Sequence, residues 1–381
     1  MASVTEKKRP WRVLALLALT LLVGSWFAFR SPPSATLPPA PSSSRAERPF
    51  IIDVHVHLGP DGVDRLGRLM ERWHFDHAVN LSGGVPQRGL PEQLAAARSS
   101  KGRVTVFTSL DYAAARFPDY GARMAASLRR AHAMGARGLK IAKLLGLGLP
   151  GPEGALLAVD DPGLDAVFEA AAELEMPVAI HSGDPRAFWL PTDDKNERKD
   201  ELEAHPGWSQ YGQEVPSFDQ ILAQLERRVA RHPKTRFISV HFGNAAEDPD
   251  RVAGWLRKYP NLYIDTAARI PEIGRHPPEK IRAFFVEFQD RILYGSDLGV
   301  SAEPEPLFLG SEGKTPAGAK EEDRFFSATR RYFETNDRDF DHPTPIQGNW
   351  KISGIDLPEE VLRKIYGENA RRVIRLDLPR P

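Results

Sequence analysis

The 381-residue chain carries 51 Lys and Arg against 51 Asp and Glu and contains no Cys. The missing Cys excludes disulfides, thiolate metal ligands and Cys nucleophiles, so any metal must be held by His, Asp, Glu or a modified Lys. Seven basic and two acidic side chains fall within residues 1–48, which leaves 44 basic and 49 acidic ones, a net of −5, in the remainder; such a body lacks the basic footprint of a nucleic-acid binder.

Lys7, Lys8, Arg9 and Arg12 precede an apolar run over 13–29 that is broken only by Thr20, Gly24 and Ser25. This is the layout of a signal peptide or signal anchor, and residues 1–30 are read as one, with residues 11–30 in contact with a membrane. The run is at the short end for a spanning helix. Phe27 and Phe29 stand where a small-x-small cleavage site would fall, so anchoring and cleavage both stay open. The basic flank should remain cytoplasmic, which puts everything after Arg30 on the outer side, membrane-anchored or secreted to the periplasm or beyond. Residues 31–49 hold Pro32, Pro33, Pro38, Pro39, Pro41, Pro49 and a Ser42–Ser44 run, a composition that forms an extended tether rather than a core.

From Phe50 onward, short apolar runs alternate with stretches of helical spacing, the signature of βα units around a parallel sheet. The runs cover 50–55, 78–81, 104–108, 138–141, 177–181, 236–241, 262–265 and 291–294; helical spacing covers 122–133, 164–174, 218–231 and 251–258. Eight buried strands fit a closed (β/α)8 TIM barrel over 50–381 better than an open sheet, and the Gly146–Gly151 stretch does not have a phosphate-cradling pattern. Asp356, followed three residues later by Glu359, predicts an N-cap for a last helix over 361–374. Two long segments, 182–216 and 298–355, then become irregular loops over the C-terminal mouth, where such barrels place their chemistry. Trp208 and Trp350 in these loops are candidate walls or lids.

Polar residues fall where the predicted strands end. His55 and His57 are two apart, so both imidazoles lie on one side of the first strand. His181 ends the fifth strand, His241 the sixth, and Ser296-Asp297 the eighth. Three strands' worth of His and one Asp form a competent site for Zn²⁺ or another divalent transition ion, and a poor one for Ca²⁺ or Mg²⁺. Arg269, just after the seventh strand, could grip a substrate carboxylate in a bidentate fork, with an ordinary surface Arg as the competing reading.

This arrangement resembles the amidohydrolase superfamily, and most of all its amidohydrolase-related branch, where aminocarboxymuconate semialdehyde and resorcylate decarboxylase type enzymes stand beside lactone and amide hydrolases. The motifs that carry the resemblance are Ile52-Asp53-Val54-His55-Val56-His57, Ala179-Ile180-His181-Ser182, Val240-His241-Phe242-Gly243-Asn244, Tyr294-Gly295-Ser296-Asp297 and Tyr366-Gly367-Glu368-Asn369-Ala370. It implies that His55, His57, His181 and Asp297 bind one divalent metal ion, with zinc expected first and manganese open. Asp297 would also be the general base, and His241 would orient the nucleophile or stabilise an oxyanion. Asp53 would fix a His tautomer from behind, or serve only as a structural strand-end bond. Lys140 would pair with an anionic substrate; in binuclear relatives, a carboxylated Lys at the end of this strand bridges two metals. Lys143 is its competitor.

The expected activity is hydrolysis of an amide, lactone or ester bond in a small, anionic substrate by a metal-activated water. Non-oxidative decarboxylation with the same ligands is the first alternative, and a non-catalytic envelope binding protein the second. A homodimer stays open.

Overall fold

The computed structural model describes residues 48–378, apart from 312, 314 and 315. The expected anchor and almost all of the tether therefore lie outside the described residues. Among the described residues no helix is long and apolar enough to cross a membrane.

Each of the eight predicted runs overlaps a strand: β1 Ile52–Leu58, β2 His77–Asn80, β3 Val104–Ser109, β4 Gly138–Ile141, β5 Val178–Ile180, β6 Phe237–Ser239, β7 Leu262–Asp265 and β8 Ile292–Leu293. Neighbours in sequence pair in parallel throughout. The eighth strand is interrupted over residues 294–297 and resumes as β9, Leu298–Val300, which pairs in parallel with β1. Within the interruption Val54 N–H donates to Tyr294 O (3.0 Å) and Asp297 N–H to His55 O (2.9 Å). The last strand thus meets the first, and the sheet curls back on itself as a TIM barrel does.

Helices cover the outside of this sheet. Those at Tyr120–Met134, Asp165–Glu173, Phe218–Arg231 and Pro249–Lys258 fall on the predicted stretches. Others were not predicted: Val63–Trp73, Leu90–Ser99 and Pro278–Glu287. The segment 298–355 is not an irregular loop throughout, because it carries the 16-residue helix Ala319–Glu334, whose Phe325, Phe326, Tyr332 and Phe333 are buried. That helix has charges at nearly every exposed turn, which masked its apolar stripe. The last helix begins at Glu359, two residues ahead of the expected stretch. Asp356 does not cap it: its backbone is left-handed (φ 44°) and its N–H goes to Thr335 O, while Pro358 O accepts from Val361 and Leu362 N–H.

A separate apolar cluster gathers Val79, Phe107, Ala179, Ile238, Tyr263 and Leu293 from β2, β3, β5, β6, β7 and β8. Ala179 and Tyr263 lie two residues before His181 and Asp265, and Gly138 two before Lys140, so each shares a face with a polar residue nearer the mouth. This cluster is the floor beneath the site. Gly138 is part of it, because a Cβ there would lie 2.3 Å from the Phe107 ring. Gly138→Ala is therefore expected to destabilise the protein by about 1–3 kcal/mol through overpacking. An unchanged urea midpoint would show that the floor has slack.

Candidate metal centre

Two neighbouring carboxylates organise the histidines. Asp265, fully buried at the end of β7, accepts from His55 Nδ1 (2.8 Å) through one oxygen. Its other oxygen accepts from the backbone N–H of His241 (2.7 Å) and of Ala267 (3.2 Å). His55 thus spends its Nδ1–H on a carboxylate, which leaves a lone pair on Nε2. His241 Nδ1 lies 3.0 Å from Ala267 O, and since a carbonyl can only accept, Nε2 is again the free acceptor. His57 Nδ1 meets Ser82 Oγ at 2.7 Å.

The free ends converge. Asp297 Oδ1 lies 3.3 Å from His55 Nε2 and 3.3 Å from His57 Nε2. One donor atom each from His55, His241 and Asp297 lies within 4.8 Å of the others. The His181 ring centroid is 4.3 Å from that of His241, and its buried Nε2 has no hydrogen-bond partner among the described residues. Acceptor atoms of His55 and Asp297 face each other at 3.3 Å, with the Lys140 ammonium 3.4 Å from His55 Nε2, an arrangement that attracts a cation. Imidazole nitrogens and a carboxylate, with an unpartnered buried nitrogen beside them, fit a divalent transition metal.

Backbone strain is concentrated here. His241, Phe242 and Asn244 have φ of 57°, 56° and 52°, and Asp297 has φ of 68°. Non-Gly residues in this region cost about 1 kcal/mol or more each, so they persist where surrounding bonds fix them. Asp265 holds the first at His241. Asp53 holds the other turn, because its carboxylate accepts from His55 N–H (3.1 Å), Ser296 N–H (3.0 Å) and Ser296 Oγ. Asp53 therefore touches no imidazole among the described residues. The expected tautomer-fixing partner is Asp265, and Asp53 positions the interruption that carries Asp297.

Burial sets the charges. It lowers the pKa of His181 well below the usual value, with Lys140 and Lys143 adding to the effect; it lowers His241 likewise, with His181 adding, so both rings stay neutral at pH 7. For Asp297 burial acts upward, but the surrounding His55, His57 and His241 together outweigh it and hold the carboxylate well below its ordinary range. Burial raises Asp53 to about 7.

The expected substrate contacts change places. Lys140 is buried, with Nζ 3.4 Å from His55 Nε2, and burial lowers its pKa to about 8. It sits beside the donor set and outside the lining of the adjoining cavity, so it is misplaced as a substrate clamp. Lys143 does line the cavity, but both oxygens of Asp184 hold its ammonium (2.9 and 2.8 Å). Arg269 is no surface residue: it is 7% exposed and lines the cavity. The cavity, about 370 Å³, opens onto His57, His181, His241 and Asp297, with Trp208 in its wall. Trp350 lies elsewhere, donating to Pro271 O.

A barrel with a His-His-Asp donor set at one end defines a candidate metal-dependent enzyme. A family model described as "Amidohydrolase" matches residues 52–376, and the chain belongs to that family. No curated protein matches. Solved structures share the fold at low identity. A 2,6-dihydroxybenzoate decarboxylase complexed with 2,6-dihydroxybenzoate is 15% identical, with 87% of this chain and 100% of that chain covered and a TM-score of 0.51. A putative amidohydrolase from Staphylococcus aureus is 15% identical, with 86% and 100% covered and a TM-score of 0.51. A dihydroxybenzoic acid decarboxylase from Polaromonas sp. JS666, with bound manganese and 2-nitroresorcinol, is 14% identical, with 87% and 98% covered and a TM-score of 0.51.

Proposed function

We propose that this protein is a metal-dependent hydrolase that cleaves an amide, lactone or ester bond in a small carboxylate-bearing substrate. The observation that carries this reading is the division of labour along one cavity. Among the described residues the Arg269 guanidinium makes one hydrogen bond, to Ala268 O, and pairs with no carboxylate. A substrate carboxylate held there leaves the donor set free for a second functional group, the bond to be cut. A decarboxylase needs its departing carboxylate at the reacting end instead.

His55, His57, His181, His241 and Asp297 are the residues that would hold the ion, and Zn²⁺ is the first choice for this donor set. When bound, the ion supplies Lewis acidity to a water and to the scissile carbonyl. Asp297, ionised at neutral pH, takes the proton of the attacking water and returns it to the leaving group. His241, neutral and with its Nε2 lone pair toward the site, would serve as a ligand and has no proton to offer a developing oxyanion.

The test is metal content of the full-length protein purified without chelators, paired with assays for released acid and for CO₂. About one transition metal per chain and hydrolysis without CO₂ are expected, and His55→Ala should lose both metal and turnover. CO₂ release would move the protein to the lyases. No metal after reconstitution with Zn²⁺ or Mn²⁺ would sink the reading.

A further inference from the structure

The cavity wall beyond the donor set has one unmet cation and one unmet acceptor. The carboxylates lining it, apart from Asp297, are already occupied. Asp184 takes Lys143. Glu201 takes the buried Arg198 guanidinium (2.7 Å) on one oxygen and Ser311 Oγ on the other. That leaves Arg269, which has no carboxylate partner among the described residues. It also leaves Gln347, 1% exposed, from the long segment after β9. Its Nε2 donates to Gly310 O (3.3 Å), which fixes the amide orientation, since a carbonyl cannot donate to Oε1. Gln347 Oε1 is buried with no hydrogen-bond partner among the described residues.

These two groups belong to one wall. A Cβ on Gly310 would lie 3.4 Å from Ala268 Cβ, so the residue that holds Gln347 packs directly on the neighbour of Arg269. Gly310 N–H also donates to Asp297 O (3.2 Å), tying this wall to the reacting end. Phe188, Trp208 and Phe308 add apolar surface to the cavity lining.

A buried acceptor without a partner and a guanidinium without a carboxylate, lining the same cavity, select a ligand that brings a donor and a carboxylate together. We infer that the substrate is a carboxylate-bearing amide of the N-acyl amino acid type, its carboxylate on Arg269 and its amide N–H on Gln347 Oε1. This rests on the hydrolase reading and narrows it to amides, since esters and lactones have no N–H to offer. In the reaction the water oxygen bonds to the acyl carbon and the C–N bond breaks. One water proton passes through Asp297 to the departing nitrogen, giving a carboxylic acid and an amine, and the acid's proton then moves to the amine to leave a carboxylate and an ammonium.

The test uses three ligands that cannot be hydrolysed, titrated calorimetrically into the metal-loaded full-length protein. They are N-(benzenesulfonyl)glycine, its methylene counterpart 3-(benzenesulfonyl)propanoate, which lacks the N–H, and N-(benzenesulfonyl)glycinamide, which lacks the carboxylate. The first is expected to bind about tenfold or more tightly than either of the others. Gln347→Met should erase the advantage over the methylene compound and keep the advantage over the glycinamide; Arg269→Met should do the reverse. Should either variant fail to fold, the three ligands on the unaltered protein still decide. No binding of N-(benzenesulfonyl)glycine, or equal affinity for it and the methylene compound, overturns the inference even if N-benzoylglycine or O-benzoylglycolate is hydrolysed. Conversely, the expected affinities with neither of those two hydrolysed retain the recognition wall and defeat the hydrolase reading.

Discussion

Asp297→Asn is expected to lower kcat by about 10²–10⁴-fold, the usual contribution of a positioned proton acceptor, while leaving the fold in place. The substitution preserves shape. The backbone bonds from Asp297 N–H to His55 O and from Gly310 N–H to Asp297 O do not involve the carboxylate and survive. The left-handed φ of 68° is one that Asn tolerates as readily as Asp. What is lost is the charge. An amide presents one oxygen and one N–H₂ to His55 and His57, whose Nε2 atoms both lie 3.3 Å from Asp297 Oδ1, and it cannot take a proton from water at neutral pH. One oxygen remains available to an ion, so metal content should fall far less than turnover. Measuring kcat and metal per chain on the same preparation separates the two roles. An Asn variant as active as the unaltered protein would remove Asp297 as the base, whatever its metal content.

How much of this was visible in the sequence depends on the range of the interactions involved. The strands were legible because a doubly covered parallel strand must be a continuous apolar run, and His55, His57, His181 and Asp297 stood out as polar interruptions at strand ends. Asp265 ends its run in the same manner and carries the same signal in the sequence. Its partners, His55 and the His241 backbone, are 210 and 24 residues away and become apparent only when the barrel closes. Asp53 sits two residues from an imidazole, which suggests a bond to it, but in the closed barrel its carboxylate is taken by the Ser296 turn, 243 residues away. Lys140 falls outside the cavity lining and Arg269 within it for a similar reason. A strand-end Lys looks available for substrate, but whether it meets the cavity or the packed interior depends on what the neighbouring strands place around it. Gln347 had no signal at all, since an isolated Gln in a long connection becomes informative only when its partner Gly310 and its unpaired oxygen are seen.

Asp265→Asn tests whether the centre depends on a residue that need not touch the ion. The carboxylate does two jobs with two oxygens: Oδ1 receives the His241 and Ala267 N–H groups and Oδ2 receives His55 Nδ1. An Asn side chain can keep only one of these sets. If its oxygen stays on the two backbone donors, as the strained turn at His241 requires, its N–H₂ faces His55 Nδ1 and becomes a donor to it. His55 must then carry its proton on Nε2, the atom directed at Asp297, and the lone pair needed by a metal is gone. If the amide turns over instead, His55 keeps its tautomer, but an N–H₂ meets the His241 N–H and the left-handed turn loses its anchor. Both routes weaken the centre, and the expected loss is about 10–100-fold in metal affinity. Because the ligands themselves are untouched, excess Zn²⁺ or Mn²⁺ should recover much of the missing activity, which it cannot do for Asp297→Asn. A metal titration of the Asn variant that superimposes on that of the unaltered protein would show that His55 is oriented by packing alone, and the role assigned to Asp265 would fall.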